Sequence, residues 1–132
     1  RYRFYTTIAR ALAGKAELSD SDWSDAWAEI AHTNYIPTAV QGRGRDRPTA
    51  EQWKLASHAW PQLLNELRPL NVIVLGLSMW ERMPDTVQKF DRFNHDYCLS
   101  DGTRVKCCAV RHPSAGLSWA ALQEAIEHLE AR

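Results

Sequence analysis

The sequence predicts an α/β fold, a three-layer α/β/α sandwich around a mainly parallel central sheet. Three observations predict it. Helical and extended patterns alternate along the chain. The run Val72–Leu75 is apolar without alternation and stops at Gly76, as suits a strand buried on both faces of a parallel sheet. The stretch from Val110 to Trp119 passes from the end of a β-branched run, through His112-Pro113-Ser114, into the helical spacing of Trp119, Leu122, Ile126 and Leu129. Such a turn sets a histidine and a hydroxyl at the carboxyl end of a strand, beside a helix N-terminus. Ligands of open α/β sheets bind there, and backbone N–H groups at that end favour phosphate.

The elements follow in order. Phe4, Ile8, Ala11 and Leu12 share one helical face, and Gly14 stops that helix. Asp20 or Ser21 caps a second helix that buries Trp23, Trp27, Ile30 and Ala31. His32–Ile36 is a short extended piece before Pro37, read as a strand. Gln41–Pro48 is a loop with Arg43, Arg45 and Arg47 at alternate positions. Thr49 and Gln52 form a capping box that opens a long helix, with Trp53, Ala56, Trp60, Leu63, Leu64 and Leu67 on its face. Pro61 kinks it and Pro69 ends it. After the Val72–Leu75 strand, Ser78 and Glu81 form a second capping box on a short helix, and Asp85–His95 is irregular. Asp96–Leu99 and Thr103–Val110 flank Ser100-Asp101-Gly102, a hairpin signal. Ser114 or Ser118 caps the last helix.

Composition narrows the classes. The 132 residues suffice for a single domain over 1–132 with its own core, and 45% hydrophobic residues with six Trp exclude disorder. Lys plus Arg number 16 and Asp plus Glu 16, so net charge gives no global pull toward nucleic acid or a membrane. No apolar run reaches a membrane span, and no secretory signal is expected. The three Cys include the adjacent pair Cys107 and Cys108, which point to opposite faces of a strand and hold no metal jointly. Reduced cysteines, a cytoplasmic setting and no metal or cofactor are expected.

Three blocks then carry a resemblance. Thr33-Asn34-Tyr35-Ile36 resembles a strand-end block holding a base-reading Asn. Arg47-Pro48-Thr49-Ala50-Glu51, the Trp-rich helix, Arg68-Pro69 and Val72–Gly76 resemble a second segment, and His112-Pro113-Ser114 resembles an active-site motif. In this order and spacing they resemble the uracil-DNA glycosylase superfamily. Phe4–Ala9 resembles an uncharacterised branch of it. The resemblance implies a uracil-DNA glycosylase-like fold and hydrolysis of the N-glycosidic bond of uracil or another modified base in DNA, by base flipping. The alternative is a non-catalytic nucleic-acid or nucleotide-binding module on the same fold.

The chemistry gives reasons for those residue types. Cleaving a base from deoxyribose leaves a base anion, and a donor aimed at its carbonyl stabilises that anion. The resemblance makes His112 that catalytic donor; otherwise it is a turn histidine bonded to backbone. Asn34 presents an acceptor and donors on one planar amide, as reading uracil requires; otherwise it makes a local turn bond. Ser114 is expected to bind phosphate, or else to cap a helix. Leu117 is expected to be a wedge filling the space of an extruded base, or else to pack the helix start. Arg43, Arg45 and Arg47 suit phosphates of DNA, the expected partner, or a solvated loop. Tyr5 or Phe4 is available to stack on a base. The superfamily's first strand, with an Asp that positions the attacking water, does not precede Phe4; either it lies upstream of Arg1 or it is truly absent, and in the second case the sheet has a gap and no catalysis is expected. Branches of the superfamily hold an iron–sulfur cluster on four Cys, and with three no cluster is expected.

Overall fold

The computed structural model describes residues 3–36 and 47–132. Helices α1 (Arg3–Ala13), α2 (Asp20–Ala28) and α3 (Ala50–Leu67) precede strand β1 (Asn71–Leu75). Helix α4 (Leu77–Trp80), strands β2 (Gln88–Lys89), β3 (Asn94–Cys98) and β4 (Arg104–Val110), a 3-10 turn (Pro113–Ala115) and helix α5 (Trp119–Ala131) follow.

The four strands form one sheet in the order β1-β4-β3-β2. Only β1 and β4 run parallel; β3 is antiparallel to β4, and β2 to β3. This corrects the expected mainly parallel central sheet: the sheet is mixed, and β1 lies at its edge rather than in its interior. The physical reason lies in the hairpins. Ser100-Asp101-Gly102 folds β3 back on β4, where Leu99 N–H donates to Thr103 O at 2.8 Å. Asp91 accepts from Phe93 N–H at 2.8 Å and tightens the β2–β3 turn. This meander fills the flank that further parallel strands would need. His32–Ile36 pairs with no strand among the described residues, so the strand expected there is irregular chain.

The unbroken apolarity of β1 has another cause. Helices cover both faces of the sheet, so both side-chain sets of an edge strand meet apolar partners. Val72 and Val74 join Val105, Cys107 and Ala109 against Ala56, Trp60 and Leu64 of α3. Ile73, Leu75 and Val110 pack instead with Ile8 and Ala11 of α1 and Leu122 and Ile126 of α5. Val105 and Cys107 are fully buried, which marks β4 as the centre of the core.

Caps fix the helix ends. Thr49 accepts from Gln52 N–H at 3.1 Å and Gln52 Oε1 accepts from Thr49 N–H at 2.8 Å, the expected box. In α2 the cap is Ser19, boxed with Asp22, one residue before the expected Asp20. Helix α2 stops at Ala28, which leaves Ile30 exposed. Gly76, not a Ser78–Glu81 box, starts α4, with no side-chain cap. Asn65 Oδ1 accepts from Ser100 N–H at 2.9 Å, and Arg68 pairs with Asp101 at 2.8 Å, tying the end of α3 to the β3–β4 turn.

Candidate functional site

The site is built where the parallel pair ends. Leu75 is in register with Val110, and Gly76 N–H donates to Val110 O at 2.9 Å, so β1 and β4 stop at the same level. Their continuations then part. Gly76 leads into α4, whose Leu77 and Trp80 pack on the α3 side. Arg111–Ser118 leads into α5, whose Leu122 and Ile126 pack on the α1 side. Adjacent parallel strands whose connections leave to opposite faces open a crevice at their carboxyl ends, the place where α/β sheets bind ligands.

His112 stands at this exit. Its Nδ1 accepts the backbone N–H of Ser114 at 3.1 Å and lies 2.6 Å from Ser114 Oγ. A backbone N–H only donates, so Nδ1 carries no proton. The hydroxyl shares that nitrogen and therefore donates to it as well. The neutral ring is thus fixed with its proton on Nε2, which stays available as a donor. Ser114 turns its own hydrogen toward the ring, so it orients His112 rather than offering a donor to a phosphate. Pro113 is buried and starts the 3-10 turn; Gly116, at φ 95°, ends it with a backbone that a side chain would strain.

Aromatic rings close one side. Phe4 stacks on His112 with centroids 5.1 Å apart and planes 26° from parallel. Phe4 also meets His32 at 5.4 Å, and Tyr5 meets His32 at 6.0 Å and Trp27 at 5.8 Å. Helix α1 thereby joins the end of β4 to the segment that follows α2.

The residue before His112 borders a different space. Arg111 lines a cavity of about 420 Å³ whose walls include Leu77, Phe93, Ala109, Leu117 and Ala121. Arg111 is exposed and has no hydrogen bond or ion pair among the described residues.

The residues named from sequence divide accordingly. His112 and Ser114 meet directly. Asn34 is exposed, two residues past His32, and among the described residues only its carbonyl is engaged, by the Thr33 hydroxyl at 3.5 Å. Leu117 is half-buried against the α1–α5 cluster and also lines the cavity, so it packs the helix start. Ser118, not Ser114, caps α5, accepting from Ala121 N–H at 3.1 Å. Arg47 is exposed just before the α3 cap; Arg43 and Arg45 lie outside the described residues. Sequence reasoning missed Arg111. The signal was its place one residue before His112, at the exit of β4.

The chain matches no protein-family model, no curated protein and no solved structure. Among the described residues no three His, Cys, Asp or Glu side chains are grouped to hold a metal ion, and no helix is long and apolar enough to cross a membrane.

Proposed function

We propose that this protein is a glycosylase-like hydrolase that acts on uracil or another modified base in DNA, with His112 as its catalytic donor. One observation carries the reading: the His112 ring is held by Ser114 with Nδ1 unprotonated and Nε2–H available, at the carboxyl end of the parallel pair. The reading rests on this geometry and on the sequence blocks, not on the sheet, whose mixed order departs from the expected one.

The chemistry runs as follows. An extruded nucleotide presents a base carbonyl to Nε2–H. The C1′–N bond breaks, its electron pair passes into the base, and charge grows on that carbonyl oxygen. The His112 donor is strongest at that moment, so it lowers the barrier more than it tightens substrate binding. Water adds to C1′ to form the C1′–OH, and the proton it loses ends, through solvent, on the departing base anion. Phe4, Tyr5 and His32 supply flat surfaces beside the ring for stacking. Asn34 is the residue proposed to read the base edge. Arg47, with Arg43 and Arg45, is proposed to contact backbone phosphates.

That aromatic group also favours a second reading, a nucleic-acid-binding module without hydrolysis, because stacking gives affinity with no chemistry. One experiment separates the two. Single-turnover excision from uracil-containing oligonucleotides, single- and double-stranded, is measured alongside binding by fluorescence anisotropy. Excision that His112→Ala lowers by about 10²–10³, with binding kept, supports the hydrolase. Binding without excision supports the module. Neither excision nor binding overturns both.

A further inference from the structure

We infer that the cavity beside Arg111 is a binding site for a phosphorylated heteroaromatic ligand of mononucleotide size. It deepens the proposed function by assigning a subsite to a nucleotide flanking the one that meets His112, and it rests on that reading only for the choice of nucleotide as the ligand class.

Four independent features converge. The first is place: the cavity opens at the exits of β1 and β4, where the chain departs to opposite faces of the sheet, and it is walled by the first residue of α4, Leu77, and by Leu117 and Ala121 around the start of α5. The second is size. A volume of about 420 Å³ lies in the range of small-ligand pockets. The third is mixed chemistry. Leu77, Phe93, Ala109 and Leu117 make an apolar wall, with one aromatic ring among them to lie against a base. The fourth is charge. Arg111 is the cation on this wall, and no carboxylate among the described residues neutralises it. A guanidinium in that state is a bidentate phosphate donor. The start of the 13-residue α5 adds the positive end of its dipole on the same side.

The geometry also relates this site to His112. Arg111 holds an anion in the cavity while His112, the next residue and outside the cavity lining, presents its donor beside Phe4 of α1. A strand of nucleic acid crossing the end of β4 meets both. Arg111 is a binding residue in this arrangement and has no role in proton transfer.

The test uses the intact chain and needs no catalysis. Backbone amide NMR is recorded during titration with uridine 5′-monophosphate, uridine and inorganic phosphate. The expected result is a saturable shift of the Leu77, Phe93, Arg111 and Ala121 amides with the monophosphate. Uridine and phosphate alone should each bind at least about tenfold more weakly, since each lacks half of the contacts. Arg111→Gln, a change at an exposed side chain, should weaken the monophosphate about tenfold or more and leave uridine unaffected; His112→Ala should change neither. Phosphate binding as tightly as the nucleotide, equal affinity in Arg111→Gln, or no shift at these amides would each overturn the proposal. Loss of the hydrolase reading looks different: nucleotide binding that depends on Arg111, with no excision of uracil from any oligonucleotide.

Discussion

The hydroxyl of Ser114 is predicted to act through His112. Ser114→Ala removes the 2.6 Å contact to Nδ1 and keeps the 3.1 Å bond from the Ser114 backbone N–H. The remaining donor still requires an unprotonated Nδ1, so the tautomer survives while the ring loses one of two restraints. A hydrogen bond of this kind is worth about 0.5–1.5 kcal/mol net, so the population of correctly aimed rings falls by a factor of roughly 2 to 10. On the hydrolase reading, excision at saturating DNA should fall by the same factor, well short of the loss of about 10²–10³ expected when the donor itself is removed. Nitrogen-detected NMR of the imidazole checks the structural half without any activity. It should show Nε2 protonated in the parent and in the variant, with greater ring motion in the variant. A parent protein with its proton on Nδ1 refutes the reasoning at the start. So does a variant whose DNA affinity drops while its rate at saturation is unchanged, because that is the signature of a phosphate contact.

Three further outcomes are expected. Arg132 donates to Asp96 Oδ1 at 2.8 Å and to the carbonyls of His95 and Cys107 at 3.1 and 3.3 Å. Arg132→Ala strands a buried Asp96 with only Arg104 at 3.6 Å, so stability should fall by about 3 kcal/mol, read from urea midpoints; a loss below about 0.5 kcal/mol would contradict it. Burial raises the Cys107 thiol and pushes Cys108 up to about 11, whereas Cys98 is exposed, so a thiol reagent at pH 8 should label Cys98 alone in the native state. The same raised values mean that the unfolded chain ionises first. Stability should therefore be full below the ordinary thiol pKa and decline as pH rises from there toward 11, seen as a falling melting temperature. Gly76 has φ 142°, a backbone that Ala adopts only with strain, although its Cβ would meet nothing closer than Met79 Cβ at 3.8 Å. Gly76→Ala should cost about 1–3 kcal/mol, and an unchanged urea midpoint would show that the turn relaxes freely.

Much of the architecture was legible because it is local. The Thr49–Gln52 box, the Asp101-Gly102 hairpin and the strand-to-helix turn at His112 each depend on neighbours a few residues apart, and each forms. Sheet order is not local. The apolar run Val72–Leu75 reports that both faces are covered, and that holds equally for an interior strand and for an edge strand between helices. β1 lies parallel to β4, but the side on which the hairpin docks was not legible. At the site the limit is similar. His112 and Ser114 are two residues apart and their contact follows from the turn. The Phe4 stack joins the first helix to the last strand, and Arg111 acquires its meaning only from walls drawn from α4, β3 and α5.

The mixed sheet bears on function more than on fold. A doubly wound sheet makes its ligand crevice from two adjacent parallel strands whose connections leave to opposite faces; the other strands only support that pair. Here β1 and β4 are such a pair, and the antiparallel meander of β2 and β3 does the supporting. The exit of β4 therefore borders two features. The Ser114-anchored imidazole faces the aromatic residues of α1, and Arg111 faces a cavity walled in part by Phe93, which immediately precedes β3. The hairpin that displaces the expected parallel strands thus supplies the one aromatic wall of the cavity. A protein with only a parallel sheet at this position would have no Phe93 there. If the cavity binds a base, Phe93→Ala should weaken uridine 5′-monophosphate and uridine by the same factor and leave inorganic phosphate unchanged, the complement of Arg111→Gln. Equal weakening of all three ligands would mean that Phe93 merely holds the end of the sheet in place.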